Sequence, residues 1–402
     1  MITGFPNIRH MRVFLEAAKS GSVSVAADAC ALSQPAATQA IKRLEGNLDA
    51  RLLVRRNRRF VPTECGALFM VRTAAALEHL RTGARAAERG NPKSRTPLDR
   101  VVTAAQLRTL IALASTGSFT IAAKRLNLSQ PTVFRAARGL ETAAGTVFFK
   151  ATSVGVELSP AAQAFVLEAK LALAEIRQGL AEIGRAQGVE RSLFALGSLP
   201  LARTAIVPKA THAMVSERPG MQVRVVDGRY DELLRSLREG DLDCMIGALR
   251  DPAPADDIVQ EPLFDDALAI VAHPSHPLAG RRDVSLADAL SYPWVAPPIT
   301  TPAGQFLYES LQILKISETP VRVVSSSLVM VRAILAEGPY LSIISRHQVS
   351  VEERSGHVAV LNIALEGNRR VIGLTMRAGW RPTESQARFI ELLCDAARRE
   401  AG

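Results

Sequence analysis

The segment from Ser33 to Arg43, SQPAATQAIKR, concentrates amides, a hydroxyl and two cations within a few helical turns. At helical spacing Ala37, Ala40, Ile41 and Leu44 share one face, and Gln34, Thr38, Gln39, Lys42 and Arg43 fall elsewhere. Short polar and basic side chains at the start of a packed helix suit insertion into a DNA major groove, where amides and cations meet base edges. A second group follows at Arg55-Arg56-Asn57-Arg58-Arg59, a basic tip between two short apolar runs. Arginines there would lie against phosphates. The plainer reading of the tip is a solvated charge run, and that of the helix pair is an αα-hairpin in a helical core.

The elements that must position these side chains occur twice. Residues Gly21 to Glu45, GSVSVAADACALSQPAATQAIKRLE, return ninety-six residues later as Gly117 to Glu141, GSFTIAAKRLNLSQPTVFRAARGLE, with 11 of 25 positions identical. Such agreement marks an internal repeat. Each copy predicts two short helices around a tight turn. In the first, Ser24 is the expected cap of the leading helix and Leu32 closes the turn. Ser33 caps the second, which runs to about Leu48 with Pro35 in its first turn, where a missing N–H costs nothing. A preceding helix is expected at Ile8–Lys19 and again at Ala104–Ser115. A two-stranded wing is expected at Arg51–Thr63, with its counterpart at Thr146–Ser159, where Lys150 is the one cation. The second copy also carries Phe134 and Arg135 where the first has Thr38 and Gln39, and so looks eroded as a DNA reader.

A long apolar-striped helix should follow each unit, at Glu64–Glu88 and Pro160–Gln187. Helices of this length beside a small domain pair with another helix, and dimerisation is the natural use. Between the units lies the polar connector Gly90–Leu98. From Ser192 onward strands alternate with helices, which predicts parallel-rich α/β sheets in two subdomains. Ligands in such folds bind at strand C-terminal ends and in clefts between subdomains.

Charge follows the same division. The net +10 over 402 residues resolves into +9 for residues 1–100, +3 for residues 101–190 and −2 for the rest. A basic end suits a polyanion, and a neutral end suits sensing or structure. The amino terminus has no apolar signal region and no run of 18 apolar residues occurs, so a cytoplasmic protein with no membrane contact is expected. Cys30, Cys65, Cys244 and Cys394 lack metal-ligand spacing and read as free thiols. GxSxG, HExxH and P-loop patterns are missing, and His273 and His276 sit in a Pro-rich turn without carboxylates nearby, so no enzyme, metal or cofactor is expected.

Taken together, GSxSxAA–LSQPAATQAIKRLE, RLLVRRNRRFVPTECG, GSLPLARTAIVP, LLRSLREGDLD and HPSHPLAGRRDVSLADAL resemble the LysR-type transcriptional regulators over nearly the whole length. The resemblance implies a multidomain chain: two all-α winged helix–turn–helix units with long linker helices, then a two-lobed α/β effector domain like a periplasmic binding protein. The expected boundaries are 1–63 and 103–159 for the winged units, and 64–102 and 160–190 for the linkers. Lobe one is expected at 191–267 with 370–402, and lobe two at 268–369. Double-stranded DNA, a sugar or an aromatic or organic acid, and a homodimer or homotetramer formed through linker helices and effector domains are the implied partners. Family members usually carry one DNA-binding unit, and this chain departs from that with two.

By position, the resemblance assigns Ser33, Gln34, Pro35, Ala36, Thr38, Gln39 and Lys42 to groove and phosphate contacts. Ser129, Gln130, Thr132 and Arg135 are their second-copy equivalents. It assigns Ser198, Leu199, Arg229, Tyr230, Thr300, Thr301 and Ser325 or Ser326 to the effector. Ser198 and Ser326 are equally readable as helix caps, and Tyr230 as core. A solute-binding protein would not need the repeats. The remaining alternative is an architectural DNA-binding protein with a vestigial ligand domain.

Overall fold

The structure, a computed structural model, describes residues 5–89, 96–313 and 319–401. Most of the connector Gly90–Leu98 lies outside the described residues. The chain forms two compact units, Met1–Ser192 with Glu239–Asp241, and Leu193–Arg238 with Leu242–Gly402.

The first unit contains both copies of the repeat. Copy one comprises α1 (Ile8–Ser20), α2 (Val23–Ala29), α3 (Gln34–Leu48), the hairpin β1 (Leu53–Arg56) and β2 (Arg59–Pro62), and α4 (Glu64–Ala87). A short α5 (Leu98–Val101) precedes copy two. That copy has α6 (Ala104–Thr116), α7 (Phe119–Leu126), α8 (Gln130–Ala144), β3 (Phe149–Thr152), β4 (Gly155–Leu158) and α9 (Pro160–Ala186). Local chemistry sets the boundaries identically in both. Gly21 and Gly117 end α1 and α6 with φ of 71° and 60°, a left-handed conformation that favours glycine. The cap of α2 is Ser22 and not Ser24: Ser22 is extended and its Oγ accepts from Val25 N, while Ser24 already lies within the first turn. Ser118 does the same for α7. Ser33 and Ser129 cap α3 and α8 as expected, accepting from Ala36 N and Thr132 N.

The long helices pack on each other within the chain. Phe69 and Phe165, both fully buried, mark the seam, and Gly83 and Gly179 allow the close approach. A Cβ at Gly83 would lie 2.9 Å from Phe165, and one at Gly179 would lie 3.1 Å from Phe69. The sequence expectation for these helices is pairing with a second chain. The repeat instead supplies both partners in one polypeptide, burying Phe69, Ala76 and Leu80 of α4 and Phe165, Ala172 and Ile176 of α9 while Val71 stays 44% exposed. Burial of a phenylalanine side chain contributes roughly 1.5–3 kcal/mol, which makes the seam a principal source of cohesion.

The second unit carries one twisted sheet through two lobes. Its elements are β5 (Leu193–Ser198), α10 (Ile206–Glu217), β6 (Gln222–Val226), α11 (Tyr230–Arg238), β7 (Cys244–Ala248), β8 (Ile258–Ala272), α12 (Leu286–Leu290), β9 (Trp294–Ala296), α13 (Pro302–Gln305), β10 (Val321–Val324), α14 (Leu328–Glu337), β11 (Leu341–Ser345), α15 (Arg346–Arg354), β12 (Ala359–Val360), β13 (Arg369–Arg377) and α16 (Glu384–Ala401). The strand order is β10-β9-β11-β8-β13-β7-β5-β6, with β12 also on β8. Pairing is parallel among β6, β5 and β7 and among β10, β9 and β11. Antiparallel β8 and β13 join the two sets. Phe194 and Phe389 stack edge-on at 4.7 Å in one core, and buried Trp294 anchors the other, donating Nε1 to Ala289 O.

A strand beginning at Leu268 is the sequence expectation here; the structure instead has β8 running unbroken for 15 residues. Pro262 within it gives no N–H, and the register slips there instead of the strand ending. Asp266 on β8 ties the strands together where one set passes to the other. Its Oδ1 accepts from Ser345 Oγ (2.9 Å) and His347 N (3.3 Å), and its Oδ2 from Arg370 Nε (3.1 Å). Burial pushes the Asp266 carboxyl up, but His347, Arg370 and Ser345 outweigh it and hold it below the usual carboxylate range.

A group depressed in the folded state contributes stability above its unfolded pKa and loses it as pH falls through the folded one. Asp266→Asn should therefore lower the stability of this unit by about 3 kcal/mol at pH 7, with a shallower further loss below pH 3.8 than wild type. Denaturant melts at neutral and acid pH check both statements.

Candidate nucleic-acid interface and effector site

α3 is fixed by its buried face, Ala37, Ala40, Ile41, Leu44 and Leu48. That leaves Ser33, Gln34, Pro35, Ala36, Gln39, Lys42 and Arg43 exposed together, with Thr38 half-buried and donating Oγ1 to Gln34 O at 3.0 Å. Ser33 Oγ accepts from Ala36 N at 3.4 Å, which leaves its own proton for an outside acceptor. The wing is a two-residue hairpin whose central residues, Asn57 and Arg58, have φ of 47° and 63°. Arg55, Arg56, Arg58 and Arg59 are all exposed. Arg56 and Arg59 stand directly opposite each other across the hairpin. Like charges so placed repel, and a phosphate between them relieves that repulsion.

One carboxylate sets the wing against the recognition helix. Glu45 Oε1 accepts from Leu52 N (2.8 Å) and Leu53 N (3.1 Å), where β1 begins. In copy two Glu141 Oε1 accepts from Phe148 N (2.9 Å) and Phe149 N (3.0 Å). Phe60 N and Val156 N then donate to Gly21 O and Gly117 O, which closes each wing onto its own first helix. The Leu-Glu ending is part of the repeat, yet periodicity alone gives the glutamate no role because its partners are backbone amides across a turn.

Copy two keeps the frame and changes the surface. Ser129 Oγ and Thr132 Oγ1 bond each other at 2.8 Å, and Arg135 reaches Thr132 at 3.5 Å; Gln130 and Arg135 stay exposed. Phe134 is 44% exposed and stacks on Phe119 at 5.4 Å, with Arg138 over its ring at 5.0 Å. Arg138, the counterpart of Lys42, stays exposed but pairs with Glu141 at 2.6 Å one turn along the helix. Its wing tip is uncharged, with Val154 91% exposed.

In the second unit the sequence-predicted positions fall at C-terminal ends of parallel strands. Ser198 and Leu199 close β5, Arg229 and Tyr230 follow β6, Thr300 and Thr301 follow β9, and Ser325 and Ser326 follow β10. Ser198 is fully buried and donates to Leu199 O at 3.3 Å. Tyr230 is half-buried under the Arg250 guanidinium, 4.7 Å from its ring, and its Oη is buried without a hydrogen-bond partner among the described residues. Arg229, Thr300 and Ser326 are exposed. Thr301 caps α13 and Ser325 donates to the Met330 sulfur, so both are partly engaged in local structure. The helix cap after β10 is Ser327, not Ser326. Sequence reasoning misses Arg250 because it follows β7 in a loop with no motif. Cys30, Cys65, Cys244 and Cys394 are free thiols, and among the described residues no helix is long and apolar enough to cross a membrane.

Two winged helix–turn–helix units followed by a two-lobed α/β unit define a ligand-responsive DNA-binding regulator. The bacterial regulatory helix-turn-helix model of the lysR family matches residues 8–67 and again 104–163, and the LysR substrate binding domain matches residues 187–398. The chain belongs to the LysR family of transcriptional regulators, which are not enzymes. It is 30% identical over 376 residues to the HTH-type transcriptional regulator GalR of Pseudomonas putida, a match covering 93% of each chain. The regulator PcaQ of Agrobacterium fabrum is 28% identical, with 74% of this chain and 94% of PcaQ aligned. Solved structures share the fold: a full-length OxyR variant of Pseudomonas aeruginosa (TM-score 0.53, 23% identity, 73% of this chain and 94% of that one) and CbnR with its target DNA (TM-score 0.50, 21% identity, 74% and 99%).

Glu45→Ala and Glu141→Ala should each cost about 1–3 kcal/mol, because each strands two amides. Gel-shift titration should show a larger affinity loss for Glu45→Ala, whose wing carries the arginines.

Proposed function

We propose that this regulator grips promoter DNA chiefly through copy one, with α3 in the major groove and the β1–β2 wing on the flanking phosphates. Ser33, Gln34, Pro35, Ala36, Thr38, Gln39, Lys42 and Arg43 meet the groove, and Arg55, Arg56, Arg58 and Arg59 meet the backbone. Ser129, Gln130, Thr132 and Arg135 make weaker contacts from copy two. The observation that carries this reading is the cluster of four exposed wing arginines beside the exposed start of α3. A small effector, a sugar or an aromatic or organic acid, binds at the strand ends of the second unit. The buried Ser198 hydroxyl, the unpartnered Tyr230 Oη and the neighbouring Arg250 favour a ligand with hydroxyl or carboxylate oxygens. The protein works in the cytoplasm as an oligomer of few copies, assembled through the effector units.

Neutralising Arg55, Arg56, Arg58 and Arg59 together to alanine should reduce affinity for a promoter fragment and make its salt dependence shallower by roughly 2–4 in logarithmic slope. Lys150→Ala should change that slope by at most about 1. Unchanged binding by the quadruple variant would reverse the ranking of the two copies. Ser198→Ala or Tyr230→Phe should abolish any thermal upshift produced by the effector while leaving DNA binding intact.

A further inference from the structure

The seam between α4 and α9 obeys the internal repeat. Phe69 and Phe165 are counterparts ninety-six residues apart, as are Gly83 and Gly179, and each phenylalanine packs on the other helix's glycine. Contacts exchanged this way define a two-fold interface, formed here between two halves of one chain. Its charges break the symmetry. Arg72, 3% exposed, donates Nη1 to Glu175 (3.1 Å) and Gln178 (2.6 Å), and Nε to Glu182 (3.1 Å). At the counterpart position on α9 stands Glu168, which meets His79 at 2.7 Å.

Each helix exchanged for a copy of the other has a definite consequence. In an α4–α4 pair the buried Arg72 would face His79, Thr82 and Ala86, with no carboxylate among them. In an α9–α9 pair Glu168 would face Glu175, Gln178 and Glu182, setting carboxylates against one another. The first leaves a buried cation uncompensated, which is strongly unfavourable, and the second sets half-buried like charges against one another. We propose that the Arg72–Glu175–Glu182 cluster, with His79–Glu168, restricts this seam to an α4 with an α9, and that the two come from one chain, as the fold pairs them. The DNA-reading body is then one polypeptide with two unlike heads in fixed order. This rests on the DNA-binding reading above for its consequence, though the pairing itself needs no DNA. The consequence is an operator of two different half-sites: α3 presents Ala36, Thr38 and Gln39 where α8 presents Thr132, Phe134 and Arg135.

Pairing and reading are tested separately in the full chain. Arg72→Glu should lower the thermal midpoint by roughly 10 °C, and so should the pair Glu175→Arg with Glu182→Arg. Combining all three substitutions in one chain should restore most of the loss. Chains carrying Arg72→Glu, co-expressed with chains carrying Glu175→Arg and Glu182→Arg, should stay destabilised, because the complementary charges lie on different polypeptides. Restoration in that mixture, or failure of the triple variant to recover, would overturn pairing in cis. For the reading, an operator whose second half is replaced by a copy of the first should bind about 30-fold more weakly or worse. Equal or tighter binding to that symmetric operator would overturn the two-half-site inference while leaving the pairing result untouched.

Discussion

Nearly everything in the amino-terminal unit hangs on a guanidinium with almost no access to water. Desolvating Arg72 costs several kcal/mol and is tolerated because Glu182, Glu175 and Gln178 surround it. Burial works to lower its pKa, and the two glutamates more than reverse that. The cluster belongs to both linker helices, so it fixes α4 on α9. The first helix of copy one and the wing of copy two in turn rest on a linker helix: Phe14 of α1 lies 5.9 Å from Phe69 of α4, and Phe148, just before β3, lies 6.0 Å from Phe165 of α9. The recognition helices are thus placed by a frame that contains none of the proposed DNA contacts. Arg12 adds a clamp at the start of copy two, donating to Asp99 O at 2.7 Å.

Much of this was legible in the sequence because the repeat repeats its caps. Glycine at the end of α1 and α6, serine before α3 and α8, and proline in the next turn are local signals, and the helices they bound sit where periodicity places them. What failed was non-local or off by one. Ser22 took the cap expected of Ser24, a choice decided by backbone conformation that spacing does not reveal. The partner of each long helix was invisible for a deeper reason. An apolar stripe says that a surface must be covered and does not say by which helix, and only the opposed charges at Arg72 and Glu168 favour an unlike pair over two like ones.

The carboxy-terminal unit teaches a similar lesson about strands. Its alternation of apolar runs and helices identifies two lobes, but the first half of β8 carries Glu261, Asp265 and Asp266 and so reads as the loop before a strand at Leu268. Asp266 and Arg370 neutralise each other there at 3.0 Å, which lets charge sit inside a sheet. The candidate effector positions were recognisable as a class, since hydroxyls and a tyrosine at strand C-terminal ends are where α/β folds bind ligands. Arg250 over Tyr230 was not, because the residue reaches its place only through the turn after β7.

The most direct test is covalent. In a chain with its native cysteines replaced by alanine, His79→Cys and Glu168→Cys place one thiol on each linker helix, at positions now in contact. A short bis-maleimide bridge, followed by cleavage at a protease site introduced within residues 90–95, reports which chains are joined. Pairing in cis predicts a bridged species of single-chain mass on a denaturing gel before cleavage, whose two fragments remain linked after it. A bridged species of two-chain mass before cleavage, or fragments that separate after it, would contradict it.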